Sequence, residues 1–194
     1  MAYEIAAAAS MENGLPDVIT AFKTSNPNYA GINFNVLYGS SGFLARQIIG
    51  TQVPQIFPDI FISASEEAMN VVASSPSPGL ADRQNIIGNT LVICKNTAAG
   101  GLTISSFEAV TSSNVALIGV RIWLANPYWP DYVPAGRYAQ DAFLLYKPDA
   151  EHWDYVIGKA LNANTLRPDV QFTVKGVAGD EYSAIGVVYN SDAV

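Results

Sequence analysis

Two serines and one tripeptide carry the chemistry that this chain offers most clearly. Ser10 closes the stretch "IAAAAS", Ser41 lies within "GSSGFLARQI", and Pro134-Ala135-Gly136 opens "PAGRYAQDAFLLY". Each stands where a strand gives way to a helix, so each brings backbone N–H groups with no intrahelical acceptor and the positive end of a helix dipole. Serine hydroxyls add donors of adjustable direction. Helix starts gathered at one edge of a sheet form a neutral but polar cradle for a small anion. Serine is also an ordinary helix cap, so spacing alone leaves capping and ligand binding both open.

Other chemistries find little support. Cys94, the single cysteine, sits in "TLVICK" and reads as a buried strand thiol. His152, the single histidine, lies in the polar stretch "PDAEHWDY" and reads as a surface residue with no nucleophile near it. One Cys and one His cannot supply the three or four ligands that zinc requires. "YGSSG" lacks the spacing of a dinucleotide fingerprint and the ending of a phosphate loop, and it is not a nucleophile elbow. Asp59, Glu66 and Glu67 are explained by a strand end and by the acidic preference of a helix first turn. Tyr128, Trp129 and Tyr132 could stack on a ring or plug a hinge. Arg46 and Arg137 could take a carboxylate or lie along a helix side.

The elements that must position the donors alternate. "YEIAAAAS" reads as a strand, and Ser10 can cap the helix that follows, whose regular part starts near Leu15 because Pro16 belongs in a first turn. "INFNVLYG" is a second strand. In "SSGFLARQIIG", Ser41 sits where an N-cap would, and Leu44, Ile48 and Ala45, Ile49 repeat at the spacing of a buried helix face. Ile60 to Ala64 is a third strand, and Ser63 with Glu66 could form a capping box before "EEAMNVVASS". That alternation predicts a parallel sheet covered by helices. "SPSPGLADRQ" is the punctuated segment where the chain leaves this lobe. Beyond it, "NTLVICKN", "NVALIGV" and "YSAIGVVYNSDAV" are strand candidates, with "TISSFEAV" a short helix. "AGRYAQDAFLLY" and "EHWDYVIGKAL" read as helices, and "DVQFTVKGVAG" is ambiguous between helix and strand.

Composition bounds the rest. Of 194 residues, 49% are hydrophobic and only 14% charged, against the usual quarter. A chain this long buries roughly two-thirds of its unfolded surface, which disfavours a disordered tail. Ten basic residues oppose 17 acidic ones, a net charge of -7, and the basic residues form no patch. Nucleic acid needs a positive footprint, so it is not an expected partner, and acidic membrane surfaces are disfavoured alike. No stretch has the apolar length of a membrane span, and "MAYEIAAAAS" is not a signal peptide.

Six blocks, in order, resemble one family. "IAAAAS", "GSSGFLARQI", "PDIFISAS", "IIGNTLVI", "VPAGRYAQDA" and "GVVYNSDAV" are similar to the periplasmic molybdate-binding proteins of ABC transporters, from about Ile5 to Ala193. The resemblance implies an α/β, periplasmic-binding-protein-like fold. It has two lobes, each a central sheet flanked by helices, and a ligand cleft between them. It further implies that Ser10 and Ser41 each donate a hydroxyl and a backbone N–H, that Ala135 and Val170 donate backbone N–H groups, and that Tyr189 donates its hydroxyl. The family usually continues past the "SDA" turn, so a first lobe truncated at its C-terminal side is expected. Gln171 stands where the family often has Arg, and "ANPYWPDYVPAG" is longer and more aromatic than the family's usual approach.

The expectation is therefore a first lobe of 1–80 to which 184–194 returns, and a second lobe of 81–183. The function expected is capture of a tetrahedral oxyanion, molybdate or tungstate, for an ABC importer with a membrane permease. The alternatives are a binder of the same fold for sulfate, phosphate or another small solute, and an interaction domain completed by a partner chain. No enzymatic activity, no cofactor and no directly ligated metal cation are expected. Neither nucleic acid nor membrane insertion is expected, and the location is periplasmic or extracellular with the leader removed. The expected state is a monomer, with a dimer the alternative if another chain completes the first lobe.

Overall fold

A computed structural model of the protein describes residues 2–77, 79–100, 102–104, 106–110, 114–128, 132–146 and 150–190. The chain divides into two units, Met1–Ile86 and Ile87–Val194, a few residues beyond the boundary expected at 80.

The first unit is a three-stranded parallel sheet in the order β2-β1-β3, built from β1 (Ala2–Ala8), β2 (Asn33–Gly39) and β3 (Ile60–Ile62). β1 is central, and its small residues serve both faces. Ala6 packs with Leu44, Ala45 and Ile48 of α2 (Ser41–Ile48) and with Ala68 and Val72 of α3 (Glu66–Ala73). Ile5 and Ala7 pack on the other side with Leu15 of α1 (Leu15–Ser25). Alternation sends neighbouring side chains to opposite faces, and alanines let helices approach the strand from both. Among the described residues β2 and β3 are the outer strands of this sheet.

The second unit carries a mixed sheet in the order β4-β7-β5-β6: β4 (Leu91–Lys95), β5 (Arg121–Ala125), β6 (Leu166–Arg167) and β7 (Ala184–Tyr189). β5 runs parallel to β6 and β7, while β4 is antiparallel to β7. Ile122, Leu124, Ile185 and Val187 face one core with Phe143 of α4 (Pro134–Tyr146) and Trp153 and Val156 of α5 (Ala150–Asn162). Trp123 turns to the other face, against Val177 of α6 (Val170–Gly179).

Two expectations are corrected here and one open reading is resolved. Ala184–Tyr189 does not return to the first lobe: it lies between β4 and β5, and all six residues are buried there. Residues 191–194 of the expected return lie outside the described residues. "NVALIGV" is not a strand. Asn114 accepts from the Ala116 N–H through its side chain and from the Leu117 N–H through its carbonyl, starting a 3-10 turn over Val115–Leu117. Gly119 then turns the chain at φ +76°, a conformation that favours glycine, and the strand begins at Arg121. "DVQFTVKGVAG" resolves as helix, because Asp169 caps it by accepting from the Phe172 N–H at 2.8 Å.

One polar cluster braces the second unit. The Asp180 carboxylate, only 1% exposed, accepts from Arg121 Nη1 at 3.2 Å, Trp123 Nε1 at 2.7 Å and the Tyr182 N–H at 3.0 Å. Arg167 lies 4.2 Å over the Trp123 ring and Arg121 4.1 Å over Tyr182, cation–π distances. Cys94 lies on β4 with its Sγ 3.5 Å from the Gly186 carbonyl, and burial pushes its thiol up. It is a strand thiol, as expected.

Candidate functional site

The carboxyl edges of the parallel strands gather the residues of interest in each unit. In the first, Ser10 follows β1 in a 3-10 turn, Ala9–Met11, and is half-buried. It does not cap α1: that helix starts at Leu15 behind Gly14, because Pro16 occupies its first turn. The N-cap of α2 is Ser40, whose hydroxyl accepts from the Phe43 N–H at 3.3 Å. Ser41 is thereby moved from the cap to the first helical position, where its own N–H needs no intrahelical acceptor.

Ser41 is fully buried, and its Oγ accepts from the Ala64 N–H at 3.0 Å. Ser41 follows β2 and Ala64 follows β3, yet β1 lies between those strands. This bond therefore spans the carboxyl end of β1, where Ser10 begins. An order of 2-1-3 makes that end the switch point at which open α/β sheets bind ligands. The hydroxyl proton of Ser41 stays available for donation, since the Ala64 bond uses only a lone pair. Nearby, burial and then the charge of Glu12 hold the Tyr38 phenol above its ordinary value, so it stays a neutral hydroxyl.

The turn after β3 differs from the expected capping box. Ser65, not Ser63, caps α3, accepting from the Ala68 N–H at 3.2 Å. Ser63 instead binds its own turn: its Oγ accepts from the Ser65 N–H at 3.0 Å and donates to the Ser65 carbonyl at 2.7 Å. Such serine turns compete with helix capping, and the spacing Ser63-x-Ser65 was the available signal.

In the second unit the same edge carries three residues. β5 ends at Ala125, in register with Arg167 at the end of β6, and β7 ends at Tyr189, 7% exposed. Fully buried Ala135 is the second residue of α4. Just before it, the Val133 N–H donates to the Asn126 carbonyl at 2.6 Å. Pro134 has no N–H, which leaves Ala135 and Gly136 as the first donors of that helix. Gly136 is held so near β5 that a Cβ on it would lie 2.1 Å from the Ala125 carbonyl oxygen. Val170, 2% exposed, is the first residue of α6 and follows directly on the Asp169 cap.

The remaining candidates disperse. Tyr132 is buried and Tyr128 is 43% exposed, while Trp129 lies outside the described residues. Arg46 is buried rather than stretched to solvent along its helix; Arg137 is exposed and reaches Gln140 Oε1 at 3.4 Å. Asp59 accepts from the Glu4 N–H at 2.8 Å and Glu66 pairs with Arg83 at 3.5 Å. No group of three His, Cys, Asp or Glu among the described residues could hold a metal ion. His152 lies on α5. No helix among the described residues is long and apolar enough to cross a membrane.

The family model of bacterial extracellular solute-binding proteins matches residues 3–194. The chain belongs to that family. This solute-binding protein is 34% identical over 190 residues to the molybdate-binding protein ModA of Escherichia coli, a match that covers 97% of the chain. It spans 65% of the length of that relative. Two solved structures share its α/β periplasmic-binding-protein fold. The periplasmic molybdate-binding protein of Azotobacter vinelandii aligns at a TM-score of 0.64 and 17% identity, over 96% of this chain and 71% of that one. The sulfate-binding protein SubI of Mycobacterium tuberculosis aligns at 0.66 and 15%, over 97% and 64%.

Proposed function

We propose that this solute-binding protein captures a tetrahedral oxyanion, molybdate or tungstate, outside the cytoplasmic membrane and passes it to the permease of an ABC importer. The donors assigned are Ser10, Ser41, Ala135, Val170 and Tyr189. The observation that carries the reading is that all five stand at carboxyl edges of parallel strands and that none is a charged side chain. Neutral donors satisfy a dianion without a permanent ion pair to compete with it, and each bond strengthens as water is removed. No turnover, cofactor or ligated cation is part of the reading, and the working state is a monomer.

A second reading, sulfate or phosphate in the same fold, is favoured by one observation: a sulfate-binding structure aligns as well as a molybdate-binding one. The fold therefore does not choose the anion, and cavity size must. Calorimetric titration of the anion-free protein with molybdate, tungstate, sulfate and phosphate separates the two. One-to-one heat from molybdate and tungstate alone supports the first reading. Heat from sulfate or phosphate alone moves the ligand, and silence from all four in a folded sample overturns both. Ser41→Ala is expected to weaken binding at least about tenfold, since a hydrogen bond to a charged group is worth ~1.5–3 kcal/mol. Because Ala64 also loses its acceptor, the variant is titrated well below its melting midpoint.

The Asp169 carboxylate, held on the Phe172 N–H, puts a negative charge at the same helix start as the Val170 N–H and opposes an anion held there. Asp169→Asn keeps an equally good cap and removes the charge. Molybdate is expected to bind about two- to fivefold more tightly, the scale of a charge at a helix terminus. Unchanged affinity in the titration would remove Val170 from the donor set.

A further inference from the structure

Ser41 is useful to an anion only if its hydroxyl proton points outward, and nothing in α2 alone fixes that direction. A serine hydroxyl rotates freely unless one of its lone pairs is engaged. Here the engagement comes from the turn after β3, through the Ala64 N–H at 3.0 Å. That N–H is itself aimed by Ser63, whose hydroxyl bridges both backbone groups of Ser65, at 3.0 Å and 2.7 Å. Ser65 then fixes the far side of the turn by capping α3. Ser63 thus pins the turn whose backbone carries the Ala64 N–H, and that N–H reaches Ser41 Oγ.

We propose that Ser63 is a positioning residue for the oxyanion site: it touches no ligand, and it orients the Ser41 hydroxyl by holding the Ala64 N–H against Ser41 Oγ. The proposal rests on the oxyanion-binding reading above and adds to it a residue in the turn after β3, a strand that none of the five donors follows. It also explains why Ser63 and Ser65 divide the work that one capping box would do. Ser65 holds the helix, which frees Ser63 to hold the turn.

A double-mutant cycle on the full chain tests this. Molybdate affinity and thermal midpoint are measured for the wild type, Ser63→Ala, Ser41→Ala and the double variant, with Ser63→Thr and Ser63→Val as a pair matched in shape. Ser63→Ala is expected to weaken binding roughly fivefold to tenfold, the scale of one hydrogen bond lost. Ser63→Thr keeps the hydroxyl and restores affinity, and Ser63→Val does not. In the Ser41→Ala background the Ser63 substitution costs nothing further in affinity, because the group it orients is gone. A general loosening of the fold would instead multiply the two losses. Hydrogen exchange of the Ala64 amide adds a readout without ligand: it should quicken in Ser63→Ala and Ser63→Val and not in Ser63→Thr. Independent losses in the cycle, or Ser63→Ala binding like the wild type, overturn the proposal while the wild type still binds. A folded wild type that binds no tetrahedral anion overturns the functional reading and the positioning role together. If Ser63→Ala fails to fold, the Thr and Val pair decides, and equal affinities for that pair overturn the proposal.

Discussion

Gly136→Ala is expected to destabilise the second unit by about 3 kcal/mol or more, at or beyond the upper end of overpacking in a well-packed core. The reason is the identity of what a methyl group would strike. A Cβ on Gly136 would lie 2.1 Å from the Ala125 oxygen, 2.7 Å from its carbonyl carbon and 2.9 Å from the Asn126 carbonyl carbon. All three are backbone atoms, and Ala125 is tied on one side into β6 through Arg167. No rotamer change relieves such a contact, so either α4 lifts from the end of β5 or the strand moves. Both displace the Ala135 N–H, so affinity for molybdate should fall with the melting temperature. A loss of this size lowers the midpoint by about 13 °C in a unit of this length. Thermal unfolding of Gly136→Ala at the wild-type midpoint would contradict the close approach of α4 to β5.

Gly176→Ala should come next in size. Its Cβ would meet Cε3 and Cζ3 of Trp123 at 2.2 Å. An indole at the end of a mobile side chain could swing aside, but this one is held. Its Nε1 donates to the buried Asp180 carboxylate, and Arg167 lies over its ring. Moving the ring would leave Asp180 short of a donor, which costs about 1–3 kcal/mol for a buried group. Removing the glycine recovers roughly 1 kcal/mol of helix propensity, too little to offset the clash. The expected result is a lower midpoint in urea or heat and a changed near-ultraviolet circular dichroism band. A variant more stable than the wild type would show that Trp123 is free to move.

That glycine also marks where sequence reasoning runs out. Strand–helix patterning, caps and periodicity located β1, β2, α2, α3, α4 and α5, although β1 buries both faces and alternates little. α6 stayed ambiguous because Gly176 and Gly179 read as interruptions; what justifies Gly176 is a tryptophan more than fifty residues away in sequence. β5 escaped because "RIWLA" is short and begins on a charge, while "NVALIGV" is longer and more apolar. The residues after that decoy, Ile122 and Leu124, serve one core and Trp123 another, a two-sided burial that no single-period pattern signals. In the site, Ser41 and Ala135 were legible as helix starts. Ser40 rather than Ser41 proved to be the cap, and the role of Ser63 needed the Ala64 bond, which joins segments 23 residues apart. Val170 and Tyr189 came only from likeness to a family.

The order of strands in the two sheets has a consequence for biosynthesis. β1, β2 and β3 follow one another along the chain, so these three strands can pair while the ribosome is still making the rest. The second sheet cannot. β4 and β5 border β7 and not each other, and β7 follows every other described strand in the chain. Until residues 184–189 emerge, β4 has no described strand to pair with, and β5 has only the two-residue β6 beside it. Such late, non-local closure is slow and leaves edges open to wrong partners. A second unit whose keystone is the latest of its described strands to be translated therefore pairs as a whole rather than strand by strand.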